Sequence, residues 1–155
     1  MFDEALAKII KKNANNITTK LIEAIKTHPR TKYYHNLEPD LLKERVLDIC
    51  KNFDDWIIDR TEEQMKRIYL NFGRIRYREG VPLEQLIYAI FLTRKYITSI
   101  LHNMASEENP LKIYQLLEFI EMISTFFEEM VYFISLGYKK EKIFQETGEE
   151  DEEEL

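Results

Sequence analysis

Glycine and proline are scarce in this chain, four of each in 155 residues. That leaves little material for the many tight turns of an all-β fold, and favours long helical segments. Long hydrophobic runs are also missing, because no stretch approaches the ~18 apolar residues of a membrane span. The N-terminus, "MFDEALAKIIKKN", has acids where a signal peptide is basic, and Asn where it needs apolar length. A cytoplasmic protein with no membrane contact is expected. Cysteine is nearly absent as well. Cys50 is the only one, so no internal disulfide can form. Its helical neighbours Ile49 and Phe53 point to a buried, inert thiol, and no nearby base supports a nucleophile.

What is present fits one globular domain. Apolar residues make up 45% and charged ones 32%, enough to build and solvate a core. The net charge of −6 is unevenly placed. Seven acids lie between Glu146 and Glu154, and without them 22 basic residues face 21 acids. The body is close to neutral and the acidity is a tail. A self-repelling block of this kind reads as disordered, or as folding back on basic surface, and it argues against a nucleic-acid partner. The expected organisation is a helical domain over 1–144 and a disordered acidic tail over 145–155.

Helical periodicity runs almost throughout. One helix is expected over Phe2 to Lys12, and a second from an N-cap near Asn16, with Ile17, Leu21, Ile22 and Ile25 on one face. "THPRTKYYHN" has no apolar period, and Pro29 disfavours helix before it, so this reads as an extended loop. Pro39 suits a first helical position, with Leu37 stapling onto Leu42. That helix should carry Val46, Ile49, Phe53, Trp56 and Ile57 to about Arg60. "TEEQ", Thr61 to Gln64, has the spacing of a capping box and opens a fourth helix. Gly80 and Pro82 end it and begin a fifth, whose apolar face includes Leu83, Leu86, Ile90, Phe91, Ile97 and Leu101.

A last helix is expected from an N-cap at Asn109 through Pro110 to about Phe144, interrupted only by Gly137. Its apolar rows are Ile113, Leu117, Ile120, Phe127, Val131 and Ile134, and then Phe119, Met122, Phe126, Met130 and Phe133. Together they cover roughly 200° of the helix, against the ~100° of an ordinary surface helix. A helix that long and that apolar predicts a homodimer, with the second row as the dimer helix. The fold class is all-α, a compact bundle of about six helices open to a globin-like arrangement, with a long C-terminal helix.

No catalytic constellation assembles. Asp54 and Asp55 are adjacent and diverge around a helix, so they make no acid–base pair. His28, His35 and His102 lack the companions of a zinc site. His102 or His35 would be the iron ligand only if the fold held haem, whereas a histidine in a last helical turn ordinarily complements the dipole. Three arginines crowd the Gly-Val-Pro break in "FGRIRYREGVPLEQL". No Gly-rich phosphate loop accompanies them. Arg74, Arg76, Glu79, Gly80 and Pro82 therefore read as a structural corner, its arginines tied to acids on neighbouring helices. Arg94 shares a stripe with Phe91 and Ile97, so it should face inward and need a carboxylate such as Glu79, Glu118 or Glu121. A small-ligand pocket is expected from Tyr88, Phe91, Arg94, Phe119 and Phe126.

Three stretches resemble a known family. "NITTKLIEAIKTHPRTKYYHNLEPDLLKERVLDICKNFDDWI", "FGRIRYREGVPLEQLIYAIFLTRKYI" and "FFEEMVYFISLGYKKE" are similar to the N-terminal regulatory domain of the RsbT co-antagonist proteins of bacterial stress signalling. The most specific elements are Arg74, Arg76, Glu79, Gly80, Pro82 and Leu83, and the aromatic ending from Phe126 to Tyr138. The resemblance implies a non-enzymatic, all-helical sensor or adaptor, with no cofactor. Related input domains in that system are globin-like dimers without haem, whose last helix leads into an output domain. Here an acidic tail follows that helix, so the signal would pass to a separate signalling protein. The alternative is a globin-like protein that binds haem or a small ligand.

Overall fold

Asn13 separates the first two helices, α1 (Phe2–Lys12) and α2 (Ala14–Thr27). Its amide donates to the Ile9 carbonyl at 2.7 Å, and its own carbonyl accepts from the Ile17 N–H at 2.9 Å. The interruption at Asn13 therefore leaves few backbone groups unmet. The computed structural model of the protein describes residues 2–51, 53, 55–104 and 110–150. The remaining helices are α3 (Pro39–Lys51), α4 (Glu62–Arg78), α5 (Leu83–Met104) and α6 (Pro110–Thr147). No strand occurs among the described residues, so the architecture is all-α. No described helix is long and apolar enough to cross a membrane.

Two segments differ from the sequence reading. The stretch expected as an extended loop is a 3₁₀ coil over Pro29–His35. His28 caps it, its Nδ1 accepting from the Arg30 N–H at 3.1 Å, and Thr31 donates to the Ile25 carbonyl at 2.5 Å. Side chains thus replace the apolar period that the sequence lacks. The single helix expected from Pro39 to Arg60 is α3 followed by a π-helical turn over Asp55–Asp59. The wider turn shifts the register between Phe53, which is fully buried, and the half-buried Ile57. Asn52, Asp54 and the Asn109 cap lie outside the described residues.

The capping box forms as the spacing predicts. Gln64 N–H donates to the Thr61 hydroxyl at 3.3 Å, and Thr61 N–H donates to the Gln64 side chain at 2.9 Å. At its other end α4 closes on Gly80, at φ +79°. Gly80 N–H reaches the Tyr77 carbonyl at 3.0 Å and Val81 N–H the Arg76 carbonyl at 3.1 Å. This is the paired-bond ending that glycine permits, because it alone holds such a φ without strain.

α6 is the axis of the bundle. Its 38 residues span roughly 57 Å at 1.5 Å per residue. It runs three residues past the expected end at Phe144 and passes through Gly137 without a break. Its most extensive partner is α4; α5 packs on the same helix, while α2 carries α3. Phe119, Ile123, Phe127 and Met130 of α6 are at most 2% exposed, against Leu6, Ile10, Leu21, Ile97 and Leu101 from α1, α2 and α5. Burial of each large side chain is worth about 1.5–3 kcal/mol, which accounts for the convergence of the helices on α6. α3 and α4 hardly touch each other. The gap between them is where the candidate site lies.

Candidate functional site

A cavity of about 490 Å³ opens between α3 and α4, with α5 and α6 as its floor. Its walls are mainly apolar and come from every later helix: Leu42 and Val46 of α3, Ile90 of α5, Met130 and Ile134 of α6. At one end the 3₁₀ coil inserts Tyr34, which is 3% exposed. Burial pushes its hydroxyl well above the usual pKa, although Arg45 and Arg76 pull the other way. The phenol is therefore a neutral donor at ordinary pH. Burial also raises the Tyr69 hydroxyl, on the α4 side of the cavity.

The polar end continues into the corner. Arg76 Nη1 donates to Glu79 Oε1 at 2.9 Å, and Arg45 Nη2 donates to Glu79 Oε2 at 3.2 Å. Arg76 lies over the Phe72 ring, 4.4 Å from its centroid. Burial and the nearby Arg45 push the Arg76 guanidinium below its usual pKa, with Glu79 partly compensating. The other two arginines point away from the cavity, to α6. Arg74 Nε donates to Glu141 Oε2 at 2.8 Å, and Arg78 Nη1 meets Glu141 Oε1 at 3.2 Å. Glu141 is only 2% exposed, and Arg74 first, then Arg78, hold its carboxyl below the usual range despite that burial. Arg74 also grips Glu150 through both terminal nitrogens at 2.9 Å. Tyr138 of α6 donates to the Val81 carbonyl at 2.8 Å, just past the break. Arg74 and Arg78 thus tie the break to α6, and Arg76, through Glu79, ties it to Arg45 of α3. Pro82 accepts through its carbonyl the Leu86 N–H at 3.1 Å, starting α5.

The five residues expected to form a pocket do not line this cavity. Tyr88 lies against His28, its hydroxyl 3.2 Å from His28 Nε2. Phe91 is 42% exposed, and the half-buried Arg94 stacks on it at 5.5 Å. Phe119 and Phe126 are core residues, Phe126 edge-on to Tyr69 and Phe127. The helical wheel explains the difference. α5 turns Leu86, Ala89, Ile90 and Thr93 to the cavity. At ~100° per residue, Phe91 sits roughly 120° from Ile97, so the two do not share a face. Arg94 meets none of the proposed carboxylates: Glu79 is taken by Arg45 and Arg76, and Glu118 and Glu121 are exposed on α6.

The dimer-helix residues are also placed differently. Phe119, Phe126, Met130 and Phe133 are 0–6% exposed within the single chain, and Met122 is partly buried. They pack on the chain's own helices and offer no surface to a second copy. Among the described side chains, the large apolar ones that α6 exposes are Tyr114, Leu117, Tyr132 and Phe144.

The residues do not fit a haem. No histidine lines the cavity. His102 is exposed near the end of α5, and His35 is bonded through Nε2 to the His28 carbonyl at 2.9 Å. Among the described residues no cluster of His, Cys, Asp and Glu could hold a metal ion. Cys50 is fully buried, and burial pushes its thiol up to about 11.

Sequence reasoning missed Arg45, Tyr34 and the α3–α4 gap. The tyrosine-rich coil was the one available signal, because two adjacent aromatics in a polar stretch need somewhere to pack. Against known proteins, the family model of the RsbT co-antagonist protein rsbRD N-terminal domain matches residues 16–152. No curated protein and no solved structure matches the chain.

Proposed function

The chain belongs to the RsbT co-antagonist rsbRD N-terminal family, a stress-signalling regulatory family, and from that premise we propose that it is a cytoplasmic, non-enzymatic sensor or adaptor. It dimerises through α6 and acts in trans on a separate signalling protein. The α3–α4 cavity takes the small ligand whose presence it reports.

The carrying observation is the outward face of α6. Tyr114, Leu117 and Tyr132 are 61%, 55% and 55% exposed, on the helix that forms the centre of the core. Leu117 is flanked on its face by the half-buried Ile113 and Ile120. The occupant we assign is a second copy of this chain. The 38-residue helix presents the same stripe on each copy, as a two-fold interface requires.

Analytical ultracentrifugation tests the dimer. The native chain should sediment as a dimer and Leu117→Glu as a folded monomer. A native chain that stays monomeric at micromolar concentration, or a Leu117→Glu protein that remains dimeric, would remove this reading of α6.

A further inference from the structure

The cavity between α3 and α4 has one polar end, and that end is short of negative charge. Arg45 and Arg76 share the single carboxylate of Glu79, at 3.2 and 2.9 Å. Arg76 keeps its Nε buried with no hydrogen-bond partner among the described residues. A buried donor left unmet is costly, so a partner arriving there is favoured. Glu44 and Asp48 also line the cavity, but both are exposed and water screens them. Within the Arg45–Arg76–Glu79 cluster one guanidinium charge therefore exceeds the carboxylates, beside a space walled by Ile25, Leu42, Val46, Ile90, Met130 and Ile134.

Two side chains mark the mouth. Leu41 of α3 and Ile68 of α4 line the cavity while 36% and 37% exposed, as large apolar groups that an occupant would cover. The volume falls within the roughly 300–1,000 Å³ of small-molecule sites.

We propose that this cavity binds an amphipathic monocarboxylate, its head on Arg76 and Arg45 and its apolar body between α3 and α4. The inference rests on the reading of the cavity as the ligand site. A carboxylate matches the planar fork of a guanidinium, and Tyr34 stands at the same end as a neutral donor. One surplus charge suits a monoanion. A phosphate dianion would be undercompensated, a neutral ligand would leave the guanidinium surplus in place, and a cation would be repelled. The downward push on the Arg76 pKa has the same origin, burial beside a second positive charge, and a bound anion relieves it.

Isothermal titration of the whole chain with decanoate, decanol and decyltrimethylammonium, below their micelle concentrations, tests the proposal. All three share one apolar body, so differences report the head. Decanoate should bind at least tenfold more tightly than decanol, and the ammonium least. Arg76→Met should level the acid with the alcohol, and Arg45→Met should narrow the gap. Lengthening the acid by one methylene should tighten binding by about fourfold until the cavity is full. Equal binding of acid and alcohol, both blocked by Ala89→Phe, would overturn the carboxylate assignment and keep the cavity as a ligand site. A tighter cation would overturn the assignment as well. No heat and no change in melting temperature with any of the three would overturn both the assignment and the cavity reading.

Discussion

Gly73 of α4 and Gly137 of α6 face each other where the two helices come closest. A methyl group built on Gly73 would strike the Ile134 carbonyl, and one on Gly137 would strike the Leu70 carbonyl. Neither glycine turns the chain. Each lies inside a continuous helix and removes a side chain so that two backbones can touch. The closeness lets Arg74, the next residue after Gly73, reach Glu141, one turn past Gly137, at 2.8 Å.

Gly73→Ala and Gly137→Ala should each destabilise the fold by about 2–3 kcal/mol, because the obstacle is backbone and cannot rotate away. In an ordinary helix the same change would stabilise by roughly 0.5–1 kcal/mol, so the sign alone is diagnostic. Urea denaturation checks it. Neutral or stabilised variants would show that the helices do not approach this closely.

Glu141 should make stability depend on pH at the acid end. Its carboxyl is held below the usual 4.5 by Arg74 and Arg78. A lowered folded pKa contributes stability that is fully present above the unfolded value and is lost as pH falls through the folded one. The urea midpoint should therefore drop from about pH 5 downward. Glu141→Gln should be less stable at neutral pH, by about 2 kcal/mol, and should flatten part of that limb. Parallel acid limbs in the two proteins would place the titrating group elsewhere.

Tyr138→Phe removes only the donor to the Val81 carbonyl, leaving the edge-on contact with Tyr77 in place. A loss of about 1 kcal/mol is expected, the usual effect of one buried hydrogen bond. Thermal unfolding reads it, and an unchanged melting temperature would mean that the bond does not pin the corner.

Cys50 should resist thiol reagents in the native state. It is fully buried with its thiol pushed up to about 11, and only the thiolate attacks. Iodoacetamide labelling at pH 8 should need denaturant. Rapid native labelling would mean that the α2–α3 packing opens easily.

Much of the scaffold was legible because it is local. The Thr61–Gln64 box and the Gly80 ending need only a few adjacent residues, and both form as their spacing says. The helical mass of the chain followed from scarce glycine and proline and from the apolar period. The ties were harder. Arg74 and Glu141 are 67 residues apart, and nothing in either neighbourhood names the other. The cavity was illegible for a related reason. It exists because α3 and α4 stand apart, and a sequence shows which faces are apolar but not which pairs of helices fail to meet. Gly73 did carry a signal, since a glycine inside a helical pattern usually has a packing reason. The apolar excess on α6 was visible too, but it serves mainly the chain's own core, and the outward stripe is narrower than the pattern suggested.

Native mass spectrometry of freshly purified protein tests the proposed dimer and its proposed small ligand together. Two chains per particle are expected, with added mass that is lost in Arg76→Met. Single chains without added mass, unchanged when decanoate is supplied, would contradict it.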